Sequence, residues 1–247
     1  MSRLDFISPE GFRIDGRRLH ELRTTQCKLE CMTVSAHGSS YFEIGNTRVL
    51  AYVYGPSEAK KRSDSHMKGT LHCEVILAAY STTDRKQRSK KDRQTEEYAL
   101  TATETFENLI LLSLYPRSQI QIFVYLLEMD GGVRSAILNA CCLALADAGI
   151  AMKELVSACS VTFIDNRVLT DPNSIELNAG GAEVTMAIES NSEKLLCVEL
   201  NSRFPTETLE NMYEACRLGC KEILEVMKAA IKEKALTRLQ GMHSFHR

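Results

Sequence analysis

The segment of residues 133–146 is the feature that most constrains how this chain can fold. After Arg134 it contains no charged residue, and almost every position is small or apolar. A helix with this pattern is covered on nearly all sides, because a helix at the surface of a protein keeps a polar face. The segment is therefore predicted to be the central buried helix of the fold.

Two glycines, Gly131 and Gly132, separate this helix from a strand predicted at residues 119–128. Glycine allows the backbone to approach a ligand closely, and the first free N–H groups of a helix attract anions such as phosphate. Arg134 adds a planar set of donors for phosphate oxygens. A tight turn without a ligand explains the same residues, so this segment alone leaves both interpretations open.

Composition limits the class of protein. The 247 residues are 44% hydrophobic and 25% charged, which fits a globular chain with a substantial core, and the net charge of -2 gives no overall attraction to nucleic acid. The nine cysteines form no C-x-x-C pair and lie mostly in apolar segments, so free thiols are expected, with no metal and no cofactor. With no secretory leader and no run of 18 uncharged apolar residues, no membrane partner is expected.

Apolar periodicity and turn residues predict an alternation of strands and helices within a single domain spanning residues 1–247. Residues 1–24 are predicted to be an N-terminal arm, and Pro56 is expected to end the third strand. Helices are predicted at residues 94–114, 133–146 and 205–240, with a frayed end from residue 240 onward. The predicted strands are residues 25–34, 39–44, 47–54, 70–81, 119–128, 158–164, 183–189 and 194–200.

Two basic segments flank the predicted strand at residues 70–81. The first is a Lys-Lys-Arg run, and the second, residues 84–93, contains six basic residues against two acidic ones. Lying at one edge of the fold, they would attract a polyanion, although the absence of aromatic residues argues against base stacking. Solvated loops are the alternative. The candidate RNA contacts are Lys60, Lys61, Arg62, Arg85, Lys86, Arg88 and Arg93.

Four motifs in order resemble the RNase PH family of phosphorolytic 3′-to-5′ exoribonucleases, and the resemblance runs from about Ser8 to about Ala235. It implies an α+β fold in which a mixed sheet carries packed helices. It also implies an arm whose arginines pair with carboxylates, and a phosphate site at Gly131, Gly132 and Arg134. The motifs are Arg13-x-Asp15-Gly16-Arg17 with Glu21 and Arg23, residues 38–51 with Gly55-Pro56, Asp130-Gly-Gly-Val-Arg-Ser135, and residues 171–183.

Two departures from the family pattern argue that phosphorolysis has been lost. Active members have Ser or Thr before the arginine, where this chain has Val133. They also carry three acidic residues, which bind a divalent metal or assist phosphorolysis, at the positions of Asp171, Leu177 and Glu183. A leucine can neither ligate a metal nor transfer a proton. No catalytic residue is therefore expected, and Asp171 and Glu183 remain only as vestigial candidates.

Residues 115–120 and 147–150 look more like eukaryotic exosome ring subunits of this family than like bacterial RNase PH. That resemblance implies a non-catalytic structural and RNA-binding subunit of a hexameric ring, in the nucleus, nucleolus and cytoplasm. Its basic loops would lead single-stranded RNA 3′ ends into the channel for degradation and processing of rRNA, mRNA and other RNAs. The implied partners are similar ring subunits, RNA-binding cap subunits and a hydrolytic nuclease. The alternatives are an active phosphate-dependent exoribonuclease that uses Arg134 and Asp171, and a self-assembled homohexamer.

Overall fold

The computed structural model describes residues 6–31, 36–58, 68–82, 85, 92–200, 202–203 and 205–244. The helices are α1 (Arg93–Leu109), α2 (Val133–Asp147), α3 (Ser174–Asn178) and α4 (Thr206–Ser244), with a short 3₁₀ turn at Leu112–Leu114. The strands are β1 (Thr25–Leu29), β2 (Gly38–Ile44), β3 (Thr47–Glu58), β4 (Thr70–Leu77), β5 (Ser118–Glu128), β6 (Val156–Ile164), β7 (Arg167–Thr170), β8 (Ala182–Glu189) and β9 (Leu195–Leu200).

The strands form two sheets. The first has the order β1-β2-β3-β5-β4 and is mixed, because β4 runs parallel to β5 while the other neighbours are antiparallel. The second has the order β7-β6-β8-β9 and is antiparallel throughout. The α+β class with a mixed sheet and packed helices is confirmed, and the second sheet adds to that expectation.

Helix α2 lies at the centre of the molecule, as its sequence predicts. It packs on β2 and β3 of the first sheet and on β6 of the second, and the buried side chains of both sheets form one continuous core around it. Two polar groups of α2 are paired with the sheets: the Asn139 amide both donates to and accepts from the Ala158 backbone, at 2.9 and 2.8 Å, and Ala140 O accepts from the Ser40 hydroxyl at 2.7 Å. The single-domain expectation stays a prediction.

Gly38 on β2 is required by the closeness of α2. A Cβ atom built on Gly38 would lie 2.4 Å from both Ala144 O and Ala148 N. No side chain fits at that distance from a helix backbone, so the glycine sets how deeply α2 sits on the first sheet.

Helix α4 covers the other side of β6 and also contacts β1, β7 and β8. Its inward stripe is buried and repeats every three or four residues, as the periodicity predicts; the stripe contains Met212, Cys216, Cys220, Ile223 and Met227. The nine cysteines are all free thiols, six of them buried. The prediction of a frayed end from residue 240 is wrong over residues 240–244, because α4 continues to Ser244.

Several predicted boundaries are also wrong. Pro56 does not end the third strand: β3 continues to Glu58 through a cis Gly55–Pro56 bond, with a shift of register between Tyr54 and Ser57. Strand β4 ends at Leu77, and α1 ends at Leu109, because Ile110 leaves the helix to bridge Met152. Strand β1 ends at Leu29, and residues 32–34 of the predicted strand lie outside the described residues.

The sequence patterns did not predict β7 or α3. Both are short, with four and five residues, and neither is long enough to show a periodic pattern. A local signal for α3 was present, however: Asn173 and Glu176 form a capping box, in which each side chain accepts a hydrogen bond from the other residue's backbone N–H at 2.9 Å.

A buried network of ion pairs fixes the N-terminal arm to the body of the fold. The Arg23 guanidinium donates to both oxygens of the Asp171 carboxylate, at 2.9 and 2.7 Å, and also to Gly131 O at 3.2 Å. The Arg13 guanidinium forms the same bidentate contact with the Glu176 carboxylate and donates to Thr170 O at 2.6 Å. The expectation that arginines of the arm pair with carboxylates is confirmed.

Asp171 favours the charged form of the Arg23 guanidinium. Burial lowers the pKa of the Arg23 guanidinium, but the hydrogen bonds and charge of Asp171 outweigh that effect, so that its pKa is raised overall. Asp171 itself has a left-handed backbone conformation, with φ of 52°. An aspartate tolerates that conformation better than most residues. Its carboxylate forms ion pairs with two arginines, Arg23 and, at 3.7 Å, Arg17.

We predict that Arg23→Met destabilises the chain by about 3–5 kcal/mol, because it leaves the Asp171 carboxylate buried without its main partner. The measurement is the free energy of unfolding from urea titrations followed by circular dichroism. Arg48→Met is the matched control, since Arg48 pairs with Glu43 and Glu128 at a side-chain exposure of 45%, and it should change stability little. Equal losses in the two variants would contradict a special role for the buried pair.

Candidate functional site

A cavity of about 500 Å³ opens where β5 meets the N-terminus of α2. It brings together the glycine turn, the first turn of α1 and the segment of α3 and β8 that carries the family's acidic positions. Its lining residues are Thr82, Gln94, Glu97, Tyr98, Met129, Gly131, Gly132, Val133, Arg134, Ser174, Leu177, Asn178 and Glu183. The residues predicted as a phosphate site therefore share one cavity with Leu177 and Glu183.

The two glycines are explained by the fold. Both have positive φ angles, 80° at Gly131 and 60° at Gly132, and Gly132 is the N-cap of α2. A Cβ atom on Gly131 would lie 2.3 Å from Pro172 O, so the turn must pass against the backbone of the segment before α3. Gly131 is thus needed for chain packing, whether or not an anion binds at the helix terminus.

Asp130 fixes the glycine turn to α3. Its carboxylate accepts hydrogen bonds from the backbone N–H and the hydroxyl of Ser174, at 3.1 and 2.6 Å, and from the side-chain amide of Asn46 at 3.0 Å. Burial raises the pKa of Asp130, but these hydrogen bonds outweigh it and lower the pKa overall. The Asp130 carboxylate therefore connects the glycine turn to the first residue of α3, the helix that carries Leu177.

Asp171 lies below this cavity and does not line it. Its residue exposure is 1%, and both carboxylate oxygens accept from the Arg23 guanidinium. Asp171 is therefore placed as part of the network that fixes the arm.

Leu177 and Glu183 both line the cavity. Leu177 is half-buried on α3 and presents an apolar side chain where active family members are expected to have an acid. Glu183 lies at the start of β8, opposite Thr162 of β6. Of the family's three acidic positions, Glu183 alone places a carboxylate at the cavity.

Arg134 is engaged by acidic and aromatic side chains of the chain itself. Its Nε forms a close ion pair with Glu199 on β9, and one terminal nitrogen lies 3.7 Å from Glu97 on α1. The guanidinium carbon also lies 5.3 Å from the centre of the Tyr98 ring. Burial raises the pKa of the Tyr98 phenol, so it remains a neutral partner. The side-chain exposure of Arg134 is only 16%.

Sequence reasoning missed Glu97, Tyr98 and Glu199 as residues of this site. Glu97 reads as an acid favoured by the helix dipole in the first turn of α1, and Glu199 as one residue of an ordinary strand. Nothing in local spacing indicates that both carboxylates converge on Arg134, because the contact joins three elements that are distant in sequence.

The predicted RNA-contacting residues divide into two groups. Arg85 and Arg93 are exposed, and Arg93 opens α1 directly before the cavity residue Gln94. One end of the second basic segment therefore lies beside the cavity. The other predicted contacts lie outside the described residues; they are Lys60, Lys61, Arg62, Lys86 and Arg88.

The residues that the structure describes show neither a metal site nor a membrane span. Among those residues, no group of three or more His, Cys, Asp or Glu side chains is arranged to hold a metal ion. No helix in the same part of the chain is long and apolar enough to cross a membrane.

Comparison with solved structures gives the fold. The structure of rice Rrp46 superposes with a TM-score of 0.79 at 24% identity, covering 89% of this chain and 100% of that one. The Archaeoglobus fulgidus exosome with RNA bound to the active site superposes with a TM-score of 0.77 at 18% identity, covering 87% of this chain and 92% of that one. At these identities the likeness establishes a shared fold and nothing more.

Sequence comparison gives the family. The 3′ exoribonuclease family matches in both of its parts, domain 1 over residues 21–151 and domain 2 over residues 154–233. The Arabidopsis thaliana protein named exosome complex component RRP41 homolog is 42% identical over 93% of this chain and 95% of its own length. Exosome complex component RRP41 of Homo sapiens is 37% identical over 94% and 96%. The chain therefore belongs to the 3′ exoribonuclease family of RNase PH proteins.

Proposed function

We propose that this chain is a non-catalytic structural and RNA-binding subunit of an RNA exosome ring, of the RRP41 and SKI6 type. Relatives named as exosome complex components are 35–42% identical to it and align over 93–98% of the chain. The observation that carries the proposal is the cavity at α2, where Leu177 replaces an acid and Arg134 is bound by Glu199 and Glu97.

Phosphorolysis would require this cavity to hold an inorganic phosphate and stabilise the negative charge of a second phosphoryl group beside it. Among the described residues that line the cavity, Arg134 is the one cationic side chain. It pairs with Glu97 and Glu199, and Glu183 adds a further carboxylate to the lining. Anions brought to this place would meet like charge at short range. Leu177 supplies neither a proton nor a metal ligand, so the chemistry lacks both electrostatic support and an acid.

RNA contact in this proposal comes from the basic segments and from charge, without base stacking. Arg85 and Arg93 are exposed cations, and Arg93 directly precedes the cavity residue Gln94. In the sequence, Lys60, Lys61, Arg62, Lys86 and Arg88 add further positive charge. Contacts to the phosphate backbone carry no sequence information, which suits a subunit that leads many different RNA 3′ ends through a channel. The RNAs would be degraded or processed by a nuclease elsewhere in the assembly.

The proposed partners are related ring subunits in a hexamer, RNA-binding cap subunits, a hydrolytic nuclease and single-stranded RNA. The proposed locations are the nucleus with its nucleolus and the cytoplasm. A homohexamer is the competing assembly, and native mass measurement of the purified complex separates the two, because a hetero-oligomeric ring contains other chains.

We predict that Arg85→Glu with Arg93→Glu weakens binding of single-stranded RNA to the assembled ring. Each lost phosphate contact should reduce the slope of log K against log salt by about 0.7. Binding is measured by fluorescence anisotropy over a series of salt concentrations. Lys232→Glu, an exposed charge reversal on α4, is the control and should bind RNA as the unchanged ring does. Unchanged affinity and slope in the double variant would contradict a role for these residues in RNA binding.

The alternative is an active phosphate-dependent exoribonuclease, and the retention of Arg134 at the N-terminus of α2 is its support. We predict that the purified ring, without an added nuclease, releases no nucleoside diphosphates from labelled RNA when phosphate is supplied. Phosphate-dependent release that is lost in Arg134→Met would overturn the non-catalytic proposal. Release that is independent of phosphate would indicate a contaminating hydrolase and is separated by the type of nucleotide produced.

A further inference from the structure

We propose that Glu199, with help from Glu97, is the residue that excludes phosphate from the cavity at α2, because its carboxylate occupies the guanidinium that would otherwise bind the anion. This inference rests on the proposed function and deepens it: it names the cause of the lost anion binding. In this proposal the loss of phosphate binding is due mainly to Glu199 and Glu97, which lie outside the family motifs. The hydroxyl that is missing at Val133 contributes less.

The N-terminus of α2 provides the ordinary elements of an anion site. The helix has 15 residues, its N-cap is a glycine in the left-handed region, and an arginine stands in the first turn beside an open cavity. Backbone N–H groups, helix dipole and guanidinium all favour a negative charge there. The Glu199 carboxylate of the same chain already lies against this guanidinium, as an ion pair at Nε.

Glu199 is fixed in place from two sides. It lies on β9 opposite Thr185 of β8, and its side chain accepts a short hydrogen bond from the Thr101 hydroxyl on α1. Its side-chain exposure is 23%, compared with 55% for Glu97. The carboxylate is therefore held toward Arg134 by the strand register and by α1, so Glu199 is the stronger competitor of the two acids.

An internal carboxylate competes well with free phosphate for physical reasons. Phosphate loses translational and rotational freedom when it binds, whereas Glu199 is already delivered by the fold. Phosphate in the cavity would lie near the Glu97 and Glu183 carboxylates, which line it, while the positive charge of Arg134 is already paired with Glu199. Both effects reduce the affinity of the site for anions.

The missing hydroxyl at Val133 is then a secondary loss. A threonine at that position would add one neutral hydrogen bond, which is weaker than a charge-assisted one, and the guanidinium would still be bound by Glu199. Restoring the family's residue at position 133 alone should therefore not restore phosphate binding. This expectation separates the present proposal from an explanation based on the motif alone.

The test is isothermal titration calorimetry of the full chain with inorganic phosphate. We expect no measurable binding by the unchanged chain or by Val133→Thr. We expect measurable binding by Glu97→Gln/Glu199→Gln, with an affinity about tenfold or more above the detection limit of the titration. Glutamine keeps the shape of each side chain but removes the charge that pairs with Arg134, and at position 199 it can still accept from the Thr101 hydroxyl. Circular dichroism checks that the variants fold. Glu96→Gln is the matched control, since Glu96 is an exposed acid in the same first turn of α1.

Adding Arg134→Met to the double variant should remove the gained binding, which locates the phosphate at the guanidinium. The single variants Glu199→Gln and Glu97→Gln rank the two acids, with the larger gain expected for Glu199→Gln. No gain in the double variant, or a gain in Val133→Thr or Glu96→Gln of equal size, would overturn the proposal. These results concern phosphate affinity alone, so they are independent of whether the unchanged ring degrades RNA, which tests the proposed function.

Discussion

The rest of this structure depends on the buried pairing of Arg23 with Asp171. The guanidinium joins three segments that are far apart in sequence: the N-terminal arm, the glycine turn before α2, and the turn that leads into α3. Arg13 forms a second buried pair of this kind with Glu176, which lies on α3. Because such pairs tolerate little displacement, the glycine turn and α3 are held against each other, and the cavity between them has a fixed shape.

The same pairing fixes how the family's acidic positions lie relative to the cavity. Asp171 is buried in the ion pairs of the arm, while Leu177 and Glu183 line the cavity. Arg134 keeps its position in the first turn of α2 but binds carboxylates of α1 and β9. In the proposed function, the scaffold of a phosphorolytic site is retained while the guanidinium that would bind an anion is paired with acids of the same chain.

Much of the fold could be predicted from the sequence, because the decisive signals are local. The charge-free segment after Arg134 indicated a buried helix, and α2 is one. Strands bounded by turn residues were found within a few residues of their ends, except where Pro56 adopts a cis bond inside β3. β7 and α3 were missed because they are too short for a period, and only the Asn173 and Glu176 capping box could have indicated α3.

The motifs indicate which parts of the chain line the cavity and say less about the contacts there. Gly131, Gly132, Arg134, Leu177 and Glu183 lie in one cavity, and the roles expected of them stay predictions. The reason for Gly131, its contact with the backbone of Pro172, and the partners of Arg134 depend on tertiary packing that no local pattern encodes. The basic segments remain predictions, apart from the observed exposure of Arg85 and Arg93.

The most direct test of the central claim is a crystal structure of the chain grown or soaked with phosphate or sulfate. The account predicts that the turn of Gly131 and Gly132 carries no ordered anion and that the Arg134 guanidinium contacts Glu199. An anion bound to Arg134 in place of that carboxylate, with Glu199 turned away, would contradict it.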